Sequence, residues 1–271
     1  MGSWRGSETI HLVGEYVLGE FERERERLQR IGAIHDPVTF RHLDALGVRD
    51  GWVCAEIGGG AGAVARWLCE RTAPSGRVLA TDLDTRFLEQ LAAVNLEVRR
   101  HDIADEPLDA GVFDVIHTRL VLMHVPARAR ALEHIVAGLK PGGRLLIEEP
   151  DFSSMQSSHP HSPPVERMMG RVLEAFDRAA ADWGYGLKVP VALEALGIEE
   201  VVAEGELSVM PFGSEQAEAL ALLFENVGPR LIAAGLLSDG ELDDAIEAVR
   251  TPAPTVMCSP LVISTRGRKP T

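Results

Sequence analysis

Cysteine is scarce: Cys54, Cys69 and Cys258 are the only three in 271 residues, and none stands in a Cys-x-x-Cys pair. That removes the basis for a disulfide framework or a thiolate zinc site. Positive charge is in deficit, with 27 Lys and Arg against 41 Asp and Glu and a formal net charge of −14. Such a chain has no basic surplus with which to displace counterions, so nucleic acid is not expected as a partner. No apolar run approaches the ~20 residues needed to span a bilayer, and no basic-then-apolar leader opens the chain. The expectation is a soluble protein of a reducing cytoplasm, monomer or homodimer, with no membrane partner. His-Glu-x-x-His, Asp-rich calcium loops and Cys/His clusters are all missing, so no metal is expected. Internal repeats and long linkers are missing too, which favours one large α/β domain with helical additions.

What is present is concentrated between Trp52 and Asp84. An apolar run (Trp52, Val53, Cys54, Ala55) ends at Glu56, glycines follow at Gly58, Gly60 and Gly62, and a helical pattern carrying Val64, Trp67 and Leu68 begins at once. This predicts a strand, a tight turn and a helix. A second strand, Arg77 to Thr81, then delivers Asp82 to the place where a βαβ unit sets an acid beside a nucleotide ribose. Glycine suits positions that need positive φ or a close approach of ligand to backbone. The following helix directs its free N–H groups and positive dipole end at the turn, so an anionic group is expected there.

The glycine spacing leaves the nucleotide open. Gly58-x-Gly60-x-x-Ala63 fits the dinucleotide fingerprint, while Glu56-x-Gly58-x-Gly60-x-Gly62 resembles the first motif of class I S-adenosylmethionine (SAM) methyltransferases. Later segments favour the second. Asp102-Ile103 follows a short third strand; Phe113-Asp114-Val115-Ile116-His117 is similar to that family's FDxV strand; Lys140-Pro141-Gly142-Gly143 followed by Arg144 to Glu149 resembles its turn and fifth strand. The resemblance covers roughly residues 48–151. It implies a Rossmann-like class I methyltransferase fold, a seven-stranded mostly parallel sheet with an antiparallel last strand, plus N-terminal and inserted cap helices.

Three regions are expected: lid helices over 1–46, a SAM-binding core over 47–151, and the rest of the sheet with a helical substrate cap over 152–271. The charge run FERERERL reads as a solvated helix held by Glu to Arg pairs, or as a lid in which Tyr16 covers the cofactor. Asp36-Pro37 is expected to open a separate helix to Leu46. Helices are also expected over Arg86 to Val94, over 165–183, and over Phe212 to Val249 with breaks near Gly228-Pro229 and Gly235. Glu199 to Met210 reads as a sixth strand and Thr255 to Thr265 as the last.

The resemblance assigns Gly58 and Gly60 to the methionine end of SAM, Asp82 to the ribose hydroxyls, and Asp102 and Ile103 to adenine; Glu56 keeps an orienting role, and Gly59 and Leu83 are counted with the cofactor-binding residues. It places His117 and Thr118 in a loop at the amino group. His117 and His124 are the candidates for a general base, since either could take a proton near neutral pH. Asp151, His159 and His161 rank lower, and Arg119 would more readily pair with a carboxylate than hold a substrate. The expected activity is SAM-dependent methyl transfer to a small organic molecule, with a secondary metabolite and an oxygen acceptor favoured. The alternatives are a SAM-binding protein that transfers no methyl, or an NAD(P)-dependent oxidoreductase.

Overall fold

The computed structural model describes residues 22–271, so Tyr16 lies outside the described residues. In chain order the elements are α1 (Glu24–Leu46), β1 (Val53–Ile57), α2 (Ala63–Thr72), β2 (Arg77–Asp82), β3 (Leu96–Arg100), β4 (Phe113–Arg119), α3 (Arg128–Gly138), β5 (Leu139–Asp151) and β6 (Ser158–His159). There follow α4 (Pro163–Arg178), α5 (Val189–Ala195), β7 (Glu199–Glu206), β8 (Val209–Pro211), α6 (Glu215–Ala233), α7 (Asp239–Arg250), β9 (Val256–Cys258) and β10 (Leu261–Arg268).

A seven-stranded sheet is ordered β3-β2-β1-β4-β5-β10-β7, and β10 runs antiparallel to both of its neighbours. The expected sheet is therefore the observed one. Alternate residues leave it on opposite faces, as the two-residue period requires. Ala55, Ile116 and Leu145 join the large core with α4, α6 and α7, while Cys54, Val115 and Leu146 join a smaller one with Leu43 of α1 and Leu68 of α2. The strand order turns back between β1 and β4, and a ligand crevice is expected outside their carboxyl ends.

Several expected boundaries move. Proline removes a helical hydrogen bond and costs an interior about 3 kcal/mol, yet α1 runs through Pro37 without a break. Thr39, His42, Leu43 and Leu46 are all buried beyond it, and that packing outweighs the local penalty. The expected helix from Arg86 to Val94 is only a 3-10 turn at Leu88–Gln90. Its leucines pack on the glycine turn: a Cβ on Gly59 would lie 2.9 Å from Leu88 and one on Gly62 2.6 Å from Leu91. Gly228-Pro229 does not interrupt α6 either. There the absent side chain makes room for α7, since a Cβ on Gly228 would lie 2.5 Å from Leu242.

The expected helix over 165–183 stops at Arg178. The Lys140 to Gly143 turn lies within β5, beside a shift in its register against β4. The expected last strand is divided at Ser259 and Pro260, because proline has no N–H for a ladder. Its first part, β9, pairs instead with β6 and β8 in a separate three-stranded sheet.

Candidate active site at the carboxyl ends of the central strands

The turn after β1 is built as its glycines require, with Gly58, Gly60 and Gly62 at φ of +70°, +51° and +83°. The close approaches differ among them. A Cβ on Gly58 would lie 2.2 Å from Val121 Cγ2, a contact within the chain, whereas one on Gly60 meets nothing nearer than Leu28 at 3.6 Å. Gly60 is thus the position with room outside it. The turn also uses its own donors: Gly58 and Gly59 donate N–H groups to the Thr81 carbonyl at 2.8 and 3.0 Å, and Gly60 donates to Asp82 Oδ2 at 2.9 Å. An anion would therefore have to draw on the first-turn N–H groups of α2.

Asp82 also accepts from the Asp84 N–H at 3.1 Å, and burial raises its pKa against these backbone donors. Leu83 beside it is an exposed apolar side chain, 49 % accessible. At the end of β3, Asp102 Oδ1 accepts from the Ala104 N–H at 2.9 Å, and Ile103 is buried with its carbonyl 2.8 Å from His134 Nδ1. Six buried side-chain polar atoms among the described residues lack a hydrogen-bond partner, and four of them are Thr81 Oγ1, His101 Nδ1 and Nε2, and Thr118 Oγ1. These close β2, follow β3 and lie near the end of β4. Thr81 and Thr118 flank Ile57 of β1 in register, and native proteins rarely strand such atoms without a polar ligand or water. His101 went unweighted in the sequence, although it directly precedes Asp102.

His117 and Thr118 lie inside β4, which continues to Arg119, and not in the loop after it. His117 is 0 % exposed. Its Nδ1 lies 2.6 Å from Glu56 and its Nε2 3.0 Å from Glu148. Burial alone would lower its pKa, but the two carboxylates raise it to about 9. Glu148 is held down to about 2 by His117 and Arg119 despite burial, and it also accepts from Thr39 of α1 and Ser264 of β10. Arg119 donates to Asp36 at 2.7 Å and to Thr39 at 2.6 Å, the expected structural pairing. The network thus ties α1 to four strands of the sheet, β1, β4, β5 and β10. Glu148 and Glu149 were not singled out in the sequence; two acids closing an apolar strand are the signal that would have found them.

His124 packs edge-on to Phe176 at 5.8 Å, and burial, assisted by Arg27, lowers its pKa to about 4. It is neutral at pH 7. Asp151 accepts from the Ser153 N–H, His159 lies in β6, and His161 pairs with Glu166 at 3.1 Å. The charge run of α1 is partly buried: Arg27 grips Glu24 with two bonds, while Arg23 reaches Glu218 and Glu225 of α6. A cavity of about 310 Å³ lies away from this crevice, by Arg41, His42 and Glu204, where Glu204 is already paired with Arg41 and Arg266.

Residues 55–147 match a family described as "Methyltransferase domain". The chain is 32% identical over 169 residues to methyltransferase str2 of Strobilurus tenacellus, covering 60% of each chain. It is 28% identical over 145 residues to the ubiquinone/menaquinone biosynthesis C-methyltransferase UbiE of Pseudomonas putida (strain GB-1), covering 51% of this chain and 52% of that one. It therefore spans between half and three fifths of the length of these two relatives. Its fold is similar to that of phosphoethanolamine N-methyltransferase 2 from Haemonchus contortus, solved with phosphomonomethylethanolamine and S-adenosylhomocysteine. That likeness has a TM-score of 0.54 at 15% identity, over 84% of this chain and 51% of the other.

Proposed function

We propose that the chain is an S-adenosyl-L-methionine-dependent methyltransferase acting on a small organic molecule, a secondary metabolite with an oxygen acceptor being favoured. The observation that carries this is the glycine turn after β1, whose Gly60 N–H donates to Asp82 at the end of β2 beside exposed Leu83, together with the unpartnered buried polar atoms of Thr81, His101 and Thr118 on the neighbouring strands. The residues fit the cofactor. Asp82 retains acceptor capacity for ribose hydroxyls, exposed Leu83 supplies apolar surface for a purine with Ile103 packed in the core, and Asp102 accepts at the purine's edge. Gly60 gives access without a side chain, and Glu56 and Gly59 shape the turn. When bound, the cofactor supplies an electrophilic methyl on a sulfonium.

The chain's own work is alignment, exclusion of water and removal of a proton. Alignment can contribute roughly 7–11 kcal/mol and a general base about 10²–10⁴-fold. His117, charged and bonded at both nitrogens, acts in this reading as a strut that fixes β1 against β4 and β5. His124 is the better base candidate, being neutral at pH 7. The acidic chain supports a small substrate over nucleic acid, and no described helix is long and apolar enough to cross a membrane. A cytoplasmic setting remains part of the proposal.

Calorimetric titration with S-adenosylhomocysteine, followed by incubation of methyl-labelled SAM with a metabolite extract, tests the proposal. Binding with label recovered in a new small molecule is expected. Absence of binding overturns it, while binding without transfer leaves a SAM-binding protein.

A further inference from the structure

The segment that leaves β4 is held by a carboxylate from the next strand. Leu120 takes φ +58° and donates its N–H to the Glu148 carbonyl at 2.8 Å. The next three N–H groups converge on Glu149: Val121 and Leu122 donate to Oε1 at 3.0 and 2.8 Å, and Met123 to Oε2 at 2.9 Å. Successive backbone N–H groups pointing one way make an anion nest, and here the occupant is the chain's own side chain. The nest decides where Val121 stands. That side chain covers Gly58 so closely that a Cβ there would be 2.2 Å away.

We propose that Glu149 is a positioning residue for cofactor binding: its ionised carboxylate holds residues 121–123 so that Val121 forms the wall of the glycine turn. This rests on the reading of that turn as the S-adenosyl-L-methionine site. Glu149 is fully buried, with Arg128 of α3 and Tyr185 facing it and Asp182 beside Tyr185. Arg128 spends Nη2 on the Ala180 carbonyl and lies over the Tyr185 ring at 5.6 Å, so it neutralises Glu149 only at a distance. Burial lifts Glu149 to about 7 against its three N–H donors, whereas Tyr185 is pushed up to about 12 and neighbouring His124 down to about 4. Of Glu149, Tyr185 and His124, only Glu149 changes charge near neutrality.

If only the ionised form binds, the apparent affinity scales with its fraction, and a group titrating at about 7 loses roughly tenfold between about pH 8 and about pH 6. The test is calorimetric titration of the full chain with S-adenosylhomocysteine across that range, with amide hydrogen exchange at Val121, Leu122 and Met123. Wild type is expected to weaken about tenfold towards acid. Glu149→Gln, which has no ionised form, is expected to bind at about pH 8 at least as weakly as wild type at about pH 6, to show no further pH dependence, and to exchange those amides faster. Wild-type affinity in Glu149→Gln, or an unchanged pH profile, overturns the inference. Val121→Ala, which leaves the carboxylate in place, serves if Glu149→Gln fails to fold. It is expected to bind more weakly yet keep the tenfold pH dependence, and wild-type binding would overturn the role of Val121. A wild type that binds nothing at any pH overturns the functional reading, and the inference with it.

Discussion

Residues at this site include one whose side-chain polar atoms are all engaged and one whose side-chain polar atoms have no partner. His117 is the first: its raised pKa, about 9, lies above the ~6.5 of an unfolded chain. Its contribution to stability is therefore complete below about pH 6.5 and is lost as pH rises through about 9. His117→Leu leaves Glu56 and Glu148 buried without their partner, which is expected to cost about 3–5 kcal/mol near neutral pH. Urea unfolding at several pH values checks both statements, and the mutant should lose the alkaline slope. His101 is the second. With no partner to lose, His101→Leu is expected to leave the melting temperature unchanged or higher, while S-adenosylhomocysteine binds about three- to tenfold more weakly, the worth of one hydrogen bond. Equal affinity in calorimetry would remove His101 from the site.

Among the elements, the glycine turn has two distinct requirements for its missing side chains. At Gly58 the constraint is internal, so Gly58→Ala adds left-handed strain of about 1–2 kcal/mol and overpacking against Val121 of about 1–3 kcal/mol. Pairing it with Val121→Ala should recover the overpacking part, and a double-mutant cycle by denaturant unfolding measures it. At Gly60 the nearest atom to an added Cβ is 3.6 Å away. Gly60→Ala should therefore carry only the strain of about 1–2 kcal/mol, yet lose most of its cofactor affinity. An alanine there that binds normally would show that the ligand does not approach this backbone. The sequence showed that glycines were needed; it did not show that one serves packing and another access. Their spacing is local, whereas Val121 and Leu28 arrive from β4 and α1.

For the whole molecule, the network from Asp36 and Thr39 through Arg119, Glu148 and His117 to Glu56 joins α1 to the sheet beneath the proposed site. Ligand that binds only the folded state should stabilise it by mass action, about 2.7 kcal/mol at a hundredfold excess over Kd. Thermal unfolding is expected to rise by several degrees with S-adenosylhomocysteine and not with NADPH. A shift with NADPH alone would return the glycine turn to the dinucleotide reading.

From the sequence came the strands and the glycine turn with Asp82 beyond it, which rest on short-range rules: a two-residue period, positive φ at glycine, and a motif read within about thirty residues. The sheet with its antiparallel last strand and the place given to Asp102 came from the family resemblance carried by several such motifs. Only the tertiary structure decided how the polar groups are matched. His117 meets Glu56 across 61 positions and Glu148 across 31, so its charge and its loss of a free lone pair follow from pairing that no local pattern encodes. The same holds for α1, which continues past Pro37 because burial against the sheet outweighs a local breaker, and for Glu149, whose three N–H donors come from the neighbouring strand's exit.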